Sequence, residues 1–308
     1  MKRKNYLFEK IADYQNIRTA FLKAIRGKRS SGEVLIFCRN VEAGLENLRN
    51  RLFSQNIRWG AYRSFTITDP KLRTISAAPI EDRIMHHAIM NILEPLFERQ
   101  MIYHTYACRK NKGAHAAVLY AFKNGKSNNL FLKLDVRKYF DSIDHAVLKQ
   151  KLNRIIKDVC VLNLLFGIID SYHNDTGRGL PIGNLTSQFF ANLYLSGMDH
   201  YINEQQKPAA YVRYMDDFIL WAGVKKELKG MYKKIENYTE NELNLKLKQP
   251  VIGKTEHGLP FLGFMIKKAG IYCPCFGLIP RSSAAIFGVK QKHTYNYFLY
   301  NDSFLKKS

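Results

Sequence analysis

The stretch YVRYMDDFIL, residues 211–220, places two adjacent carboxylates, Asp216 and Asp217, inside a run of aromatic and aliphatic side chains. The flanking residues predict a β-hairpin with buried strands and with both acids near its turn. Neighbouring carboxylates repel each other and lose solvation there, unless a positive charge lies beside them. A divalent cation meets that need, and magnesium prefers carboxylate oxygens. A solvated polar turn is the alternative interpretation of a bare Asp-Asp pair.

A third carboxylate stands at the end of another apolar run, earlier in the chain. In NNLFLKLDVRKYFDSIDH, residues 128–145, the segment Leu130 to Leu134 predicts a strand that ends at Asp135. Metal-assisted nucleotidyl transfer needs carboxylates from separate elements that converge on two cations. Asp135, Asp216 and Asp217 are therefore the candidate catalytic residues. We expect two Mg²⁺ ions as cofactors, with Mn²⁺ as a substitute.

The charge, hydropathy and cysteine content of the chain limit the classes of partner that it can bind. The chain has 308 residues and a formal net charge of +22, with Lys and Arg spread throughout. This charge favours a polyanionic partner, most simply nucleic acid, with a membrane surface as the alternative. No apolar run approaches the length of a bilayer span and the basic start is amphipathic, so we expect a cytoplasmic protein with no membrane partner. The five cysteines lack paired metal-ligand spacing, which favours reduced thiols over a zinc site.

Apolar residues at helical spacing predict scaffold helices at residues 6–25, 41–53 and 81–100. Between the last two helices, residues 58–80 alternate like a hairpin with a turn at Asp69-Pro70. This hairpin would place Lys71 and Arg73 on one face of the returning strand. Two such cations can reach a triphosphate, although charged residues also commonly protect a sheet edge.

Two further segments combine glycine with polar or basic residues. In GLPIGNLTSQFF, residues 179–190, the glycines and Pro181 predict a tight turn where backbone can approach a ligand, followed by a helix to about Tyr201. In HTYACRKNKGAH, residues 104–115, basic residues precede Gly113 and a helix start. Basic side chains and free amides at a helix start favour phosphate.

The order of these motifs resembles the reverse transcriptase family. Asp135 matches its first acidic motif, the YMDD of residues 214–217 its YxDD box, and Gly179, Pro181, Gly183 and Ser187 the signature between them. The likeness runs from about residue 5 to residue 266. It implies an α+β right-hand polymerase with fingers, a palm made of an antiparallel sheet packed on helices, and a short thumb. The implied boundaries are 1–128 for the fingers with N-terminal helices, 129–268 for the palm (including the 183–203 helix and the YMDD hairpin), and 269–308 for the start of the thumb or a C-terminal extension.

The resemblance also implies roles for single residues. The metal set becomes Asp135, Val136, Asp216 and Asp217. The ring of Phe140 would lie under the nucleotide sugar and exclude a 2′-hydroxyl. The other implied nucleotide-binding residues are Lys71, Arg73, Ile182, Gly183 and Gln188. The implied nucleic-acid contacts are Arg109, Lys112, Tyr214, Met215 and, in a hairpin like the primer grip, Gly263. Lys246 or Lys248 would give a proton to pyrophosphate.

The third motif indicates a subtype. Most family members carry Gln before its second Gly and Pro after its Ser, whereas this chain has Ile182 and Gln188. This pattern resembles diversity-generating retroelements, which copy a template-repeat RNA with frequent errors at adenines. The implied partners are template RNA, primer or cDNA, deoxynucleoside triphosphates and a small basic accessory protein, in a bacterial or phage-encoded system. The alternatives are a group II-like or phage-defence reverse transcriptase, and a catalytically silent RNA-binding scaffold.

Overall fold

A computed structural model describes residues 3–69, 71–173, 177–273 and 277–279. The chain forms two compact units, and each unit is assembled from two separate stretches of sequence. One unit comprises Met1–Gln100 with Ile143–Tyr194, and the other comprises Met101–Ser142 with Leu195–Ser308. The contiguous fingers, palm and thumb boundaries inferred from the sequence stay predictions. Most of the expected thumb segment lies outside the described residues.

Helices and antiparallel strands alternate along the chain. In chain order the helices are α1 (Phe8–Ile11), α2 (Tyr14–Ala24), α3 (Gly32–Phe37), α4 (Val41–Phe53), α5 (Ile80–Glu98), α6 (Ala114–Ser127), α7 (Tyr139–Ser142), α8 (His145–Ile155), α9 (Val159–Asp170), α10 (Leu185–His200) and α11 (Lys225–Leu243). The strands are β1 (Arg63–Asp69), β2 (Lys71–Ala77), β3 (Leu130–Asp135), β4 (Ala210–Tyr214), β5 (Asp217–Ala222), β6 (Val251–Lys254), β7 (Leu259–Phe261), β8 (Phe264–Ile266), β9 (Ile271–Cys273) and β10 (Gly277–Ile279). A 3₁₀ turn, Cys38–Asn40, precedes α4, and a π-helix, Tyr201–Gln206, continues α10.

In the first unit, α2 packs against α4 and α5 and buries Ile17 and Phe21. The single helix predicted from residue 6 to residue 25 is wrong, because the chain forms α1 and α2 instead. Asp13 separates them: its backbone is extended and its carboxylate accepts a hydrogen bond from the N–H of Asn16 at 3.0 Å. An N-cap of this kind satisfies a free amide and starts a new helix.

The predicted hairpin of the first unit is present. Strands β1 and β2 pair antiparallel, with Ile67 opposite Arg73 and Asp69 opposite Lys71. The expected Asp69-Pro70 turn includes residue 70, which lies outside the described residues. The returning strand therefore carries Lys71 and Arg73 two positions apart, as the alternation indicated.

The second unit is built around a sheet with the strand order β4-β5-β3-β6, in which every neighbouring pair is antiparallel. Helix α6 packs on β4, and α11 packs on β3 and β5. The side chains of β4 are all buried, and so are all but the first of β5. A strand covered on both faces explains the continuous apolar run on either side of the two acids. The predicted YMDD hairpin is thus confirmed.

A second sheet in this unit has the order β10-β9-β8-β7. Its β7–β8 hairpin turns through Leu262 and Gly263, whose φ angles are +50° and +82°. Two successive positive φ angles give a turn that matches the twist of paired strands. The predicted hairpin around Gly263 is therefore present. In the part of the chain that the structure describes, none of the helices is long and apolar enough to cross a membrane.

Candidate active site

Strand pairing in the second unit brings the three acids to one end of a sheet. Asp135 ends β3 and pairs in register with Asp217, the first residue of β5. Asp216 lies in the two-residue turn between β4 and β5, and its carbonyl accepts a hydrogen bond from the N–H of Val136 at 3.3 Å. Residues far apart in sequence therefore converge, because the two acidic motifs lie on adjacent antiparallel strands.

Two lysines lie against these carboxylates. Lys133, two positions before Asp135 on β3, forms an ion pair with Asp217. The ammonium of Lys248 lies 2.7 Å from Oδ1 of Asp135. That oxygen is buried and has no partner in hydrogen-bonding geometry. Lys133 was not singled out from the sequence, although its spacing from Asp135 places both side chains on one face of the strand.

Burial raises the pKa of Asp217 to about 6. The charge and hydrogen bond of Lys133 lower this pKa, while the charges of Asp135 and Asp216 raise it further. The ionised carboxylate is thus poorly solvated and is repelled by two like charges, which is the situation that a cation relieves.

The donor set fits hard divalent ions. Carboxylate oxygens are the ligands that Mg²⁺ prefers, and the buried Oδ1 of Asp135, which lies beside the Lys248 ammonium, is one such acceptor. Val136 is 1% exposed and carries no polar side-chain atom, so it would contribute through its main-chain oxygen. Over the described ranges, no three His, Cys, Asp or Glu side chains are yet arranged as a metal-binding group. Asp135, Asp216 and Asp217 are the side chains that would hold the ions.

Other residues predicted at this site lie in the same unit. Phe140 is on α7, is 9% exposed, and its ring centroid is 5.7 Å from that of Tyr139. Tyr214 and Met215 directly precede Asp216 and are buried. The N–H of Lys248 donates to the carbonyl of Asp135 at 2.8 Å. The sugar contact, the nucleic-acid contacts and the choice between Lys246 and Lys248 as proton donor stay predictions.

Arg109 and Lys112 stabilise their own loop. The Nη1 of Arg109 donates to the carbonyls of Ile102 at 2.6 Å and Thr105 at 2.8 Å. The ammonium of Lys112 donates to the carbonyl of Tyr103 at 3.0 Å and lies 3.3 Å from the centroid of its ring. These contacts shape the segment before α6, and binding of nucleic acid by either cation stays a prediction.

The first unit holds the remaining nucleotide-binding candidates. The N–H of Ser76 on β2 donates to the carbonyl of Ile182 at 2.9 Å. Gly183 has φ +111°, and a Cβ there would lie 2.7 Å from Cγ2 of Ile75. The glycine turn therefore lies against β2, the strand that carries Lys71 and Arg73. Sequence reasoning missed this contact, for which the sequence holds no local signal.

Beyond this turn, Gln188 is half-buried on α10. Two buried polar atoms near it lack a hydrogen-bond partner among the described residues, Nδ2 of Asn184 and Oγ1 of Thr186. Buried polar atoms without partners cost stability and are concentrated at sites where a ligand or water completes them. Binding of nucleotide by Ile182, Gly183 and Gln188 stays a prediction.

Comparison with known proteins assigns this architecture. The family described as "Reverse transcriptase (RNA-dependent DNA polymerase)" matches residues 68–266. Protein YkfC of Escherichia coli K12 is 26% identical over 276 residues, which cover 74% of this chain and 72% of YkfC. The group II intron-encoded protein LtrA of Lactococcus lactis subsp. cremoris is 25% identical over 138 residues, 43% of this chain and 23% of LtrA. The chain thus spans less than a quarter of LtrA.

The fold agrees with the sequence families. The telomerase of Candida albicans, solved in complex with a fragment of telomeric RNA, superimposes with a TM-score of 0.56 at 12% identity, over 74% of this chain and 48% of the telomerase. Mixed helices and antiparallel sheet with this likeness confirm the predicted fingers and palm fold. The chain therefore belongs to the reverse transcriptase family, the RNA-dependent DNA polymerases, and is similar to group II intron-encoded members of it.

Proposed function

We propose that this chain is the reverse transcriptase of a diversity-generating retroelement, which copies a template-repeat RNA into adenine-mutagenised cDNA. Its substrates are deoxynucleoside triphosphates and an RNA template with a primer, and its protein partner is a small basic accessory protein in the cytoplasm of a bacterium. The formal net charge of +22 supports polyanionic substrates, because neutralised phosphates release counterions on binding.

The acidic edge of the second unit performs the chemistry in this proposal. Asp135, Asp216 and Asp217 hold two Mg²⁺ ions, which, when bound, neutralise charge on the attacking 3′-oxygen and on the triphosphate. Lys133 and Lys248 offset part of the repulsion among these carboxylates. Electrostatic stabilisation of developing charge is commonly the largest single contribution to catalysis.

Residues predicted from the sequence bind the nucleotide in this proposal. Lys71 and Arg73 of β2 bind the triphosphate, and the ring of Phe140 excludes a 2′-hydroxyl by its bulk. Either Lys246 or Lys248 protonates the pyrophosphate as it leaves. In this proposal Lys71 and Arg73 recognise only the phosphates, which carry no information about the sugar. Phe140 recognises the sugar.

The presence of isoleucine at position 182 is the observation that supports an error-prone polymerase. The carbonyl of Ile182 is tied to Ser76 of β2 and its neighbour Gly183 lies against Ile75, so its position is constrained by the nucleotide-binding hairpin. A glutamine at this position could donate and accept hydrogen bonds near the templating pair. Isoleucine offers only dispersion contacts from a stiff side chain.

The size of the effect is sufficient for a mutator. One or two missing hydrogen bonds are worth on the order of 1–3 kcal/mol, and about 1.4 kcal/mol corresponds to a tenfold change in rate. If these bonds favour the correct pair in the transition state, their absence slows correct insertion more than incorrect insertion. The bias toward adenine rests on the family resemblance.

The test is to copy one RNA with the wild-type chain and with Ile182→Gln, and to sequence the cDNA. Misincorporation opposite adenine should fall by about tenfold, while errors opposite the other bases change little. Leu22→Gln is the matched control, because Leu22 is an exposed aliphatic residue on α2, outside the glycine turn. Equal error spectra for wild type and Ile182→Gln would leave Ile182 as a packing residue.

A second candidate is a group II-like or phage-defence reverse transcriptase with the same chemistry. The likeness to the intron-encoded LtrA favours this alternative. The wild-type cDNA distinguishes the two functions, since only the retroelement enzyme should concentrate its errors opposite adenine. An accurate or unbiased copy would favour the second candidate without altering the assignment to the family.

A further inference from the structure

A fully buried charge lies directly before the YMDD box. Arg213 is 0% exposed on β4, and its partner is Asp199 of α10, which is also 0% exposed. The guanidinium binds both carboxylate oxygens, with Nε 2.7 Å from Oδ1 and Nη2 2.6 Å from Oδ2. The hydroxyl of Tyr211 donates to Oδ1 at 2.7 Å. A buried arginine needs such a pair, because an uncompensated charge in the interior is strongly destabilising.

The remaining nitrogen of the guanidinium, Nη1, contacts the turn between β4 and β5. Nη1 of Arg213 donates to the carbonyl of Met215 at 2.9 Å. Met215 has φ +55° and is the first residue of the two-residue turn that Tyr214 and Asp217 close. This position of a hairpin favours glycine, and a left-handed side chain there stores strain unless its surroundings hold it. Arg213 supplies that restraint.

Arg213 is itself fixed at its main chain. Its N–H donates to the carbonyl of His104 at 3.0 Å, and its carbonyl accepts from the N–H of Tyr106 at 3.0 Å. The guanidinium is therefore anchored by the backbone at one end and by Asp199 at the other. A group held in this way can impose one orientation on the carbonyl that it contacts.

The bonded carbonyl belongs to the peptide that joins Met215 to Asp216. A flip of this peptide changes ψ of Met215 and φ of Asp216, while β4 and β5 stay paired on either side. Such a flip would re-aim the Asp216 carboxylate without unfolding the sheet. The hydrogen bond from Arg213 opposes it.

We propose that Arg213 is a positioning residue: it locks the Met215–Asp216 peptide so that Asp216 is presented to the same ions as Asp135 and Asp217. Asp199 holds the arginine in place and balances its charge. The hydroxyl of Tyr211 orients Asp199. The three buried side chains thus act on polymerisation through the geometry of the turn, without touching the nucleotide.

The test compares Asp199→Asn and Arg213→Lys with wild type in the full chain. Both variants should bind Mn²⁺ about fivefold or more weakly in an EPR titration without nucleic acid, because one ligand is misaligned. In primer extension kcat should fall by about tenfold or more, with the KM for nucleotide changed less than about twofold. Wild-type Mn²⁺ affinity and kcat in both folded variants would overturn the proposal.

A matched control separates positioning from stability. Asp158 is a buried carboxylate of the first unit that accepts hydrogen bonds from the N–H groups of Leu7 at 2.8 Å and Phe8 at 3.0 Å. Asp158→Asn should lower the melting temperature while leaving Mn²⁺ affinity unchanged. If Asp158→Asn weakens Mn²⁺ binding as much as Asp199→Asn does, general destabilisation explains both results and the proposal fails.

A double variant tests the turn directly. Glycine adopts a positive φ without strain, so Arg213→Lys should reduce kcat less in a Met215→Gly background than in wild type. Should the Arg213 and Asp199 variants not fold, Tyr211→Phe removes one hydrogen bond to Asp199 and should lower kcat and Mn²⁺ affinity by about twofold or more. An additive double variant, or a Tyr211→Phe chain equal to wild type, would contradict the positioning role.

Discussion

Asp135 and Asp217 face each other as the terminal register pair of strands β3 and β5. Each has a lysine beside it, Lys248 at Asp135 and Lys133 at Asp217. Each carboxylate therefore has a positive charge beside it, which offsets part of the repulsion between the two acids.

Replacing the first acid should abolish catalysis without abolishing nucleic-acid binding. We expect Asp135→Asn to reduce primer extension by about a hundredfold or more, because stabilisation of developing charge is lost. Binding of RNA should change less than about twofold, since affinity comes mostly from basic residues elsewhere. Asp141→Asn, the same charge change at an exposed position on α7, is the control. More than a few per cent residual activity in Asp135→Asn would remove it from the site.

The titration of Asp217 should report its neighbours. In the metal-free chain a carboxyl ¹³C titration should give a pKa of about 6, above the ordinary 3.8 because of burial. Because this pKa is higher in the folded chain, protonated Asp217 adds to the free energy of unfolding below about pH 4. This contribution is lost as the pH rises through about 6. Lys133→Met should move the midpoint upward, since the ammonium favours the ionised form. A downward or absent shift would contradict the ion pair.

The ring of Phe140 should set sugar selectivity by bulk alone. Phe140→Ala should raise incorporation of ribonucleotides relative to deoxyribonucleotides by about tenfold or more. Arg73→Ala should raise the apparent KM for nucleotide by about tenfold and leave sugar discrimination unchanged, because it removes the proposed phosphate contact. Single-nucleotide kinetics with paired substrates measure both. Unchanged discrimination in Phe140→Ala would remove the ring as the gate.

The glycine turn should not accept a side chain. Gly183→Ala introduces a Cβ 2.7 Å from Cγ2 of Ile75 at a φ of +111°. We expect a loss of about 1–3 kcal/mol in the free energy of unfolding. In Gly183→Ala with Ile75→Ala the steric part of that loss should disappear and the backbone strain remain. Gly32→Ala is the control, because nothing lies within 4 Å of its added Cβ. A Gly183→Ala chain as stable as wild type would contradict the contact.

Sequence periodicity predicted the elements whose signal is local. Helix α4, Val41–Phe53, has the predicted bounds, and the strands around Asp216 were expected from a continuous apolar run. The prediction failed at Asp13, where an N-cap interrupts the helical spacing of apolar residues. An aspartate inside an amphipathic stretch is equally typical of a solvated residue within a helix. Helix α3, Gly32–Phe37, was missed because it is short and its exposed Leu35 and Ile36 break the amphipathic pattern.

The sequence by itself determined which acids form the candidate site, their order along the chain and the family that they imply. Burying a carboxylate among apolar residues costs free energy, so its presence in an apolar strand indicates a function. Only the tertiary structure decided which charges meet. Lys133 with Asp217, Lys248 with Asp135, and Arg213 with Asp199 are set by strand register and by packing on α10. The contact of Gly183 with Ile75 is likewise a meeting of distant segments. Such pairs depend on where the backbone returns in space, and residue type alone does not encode that distance.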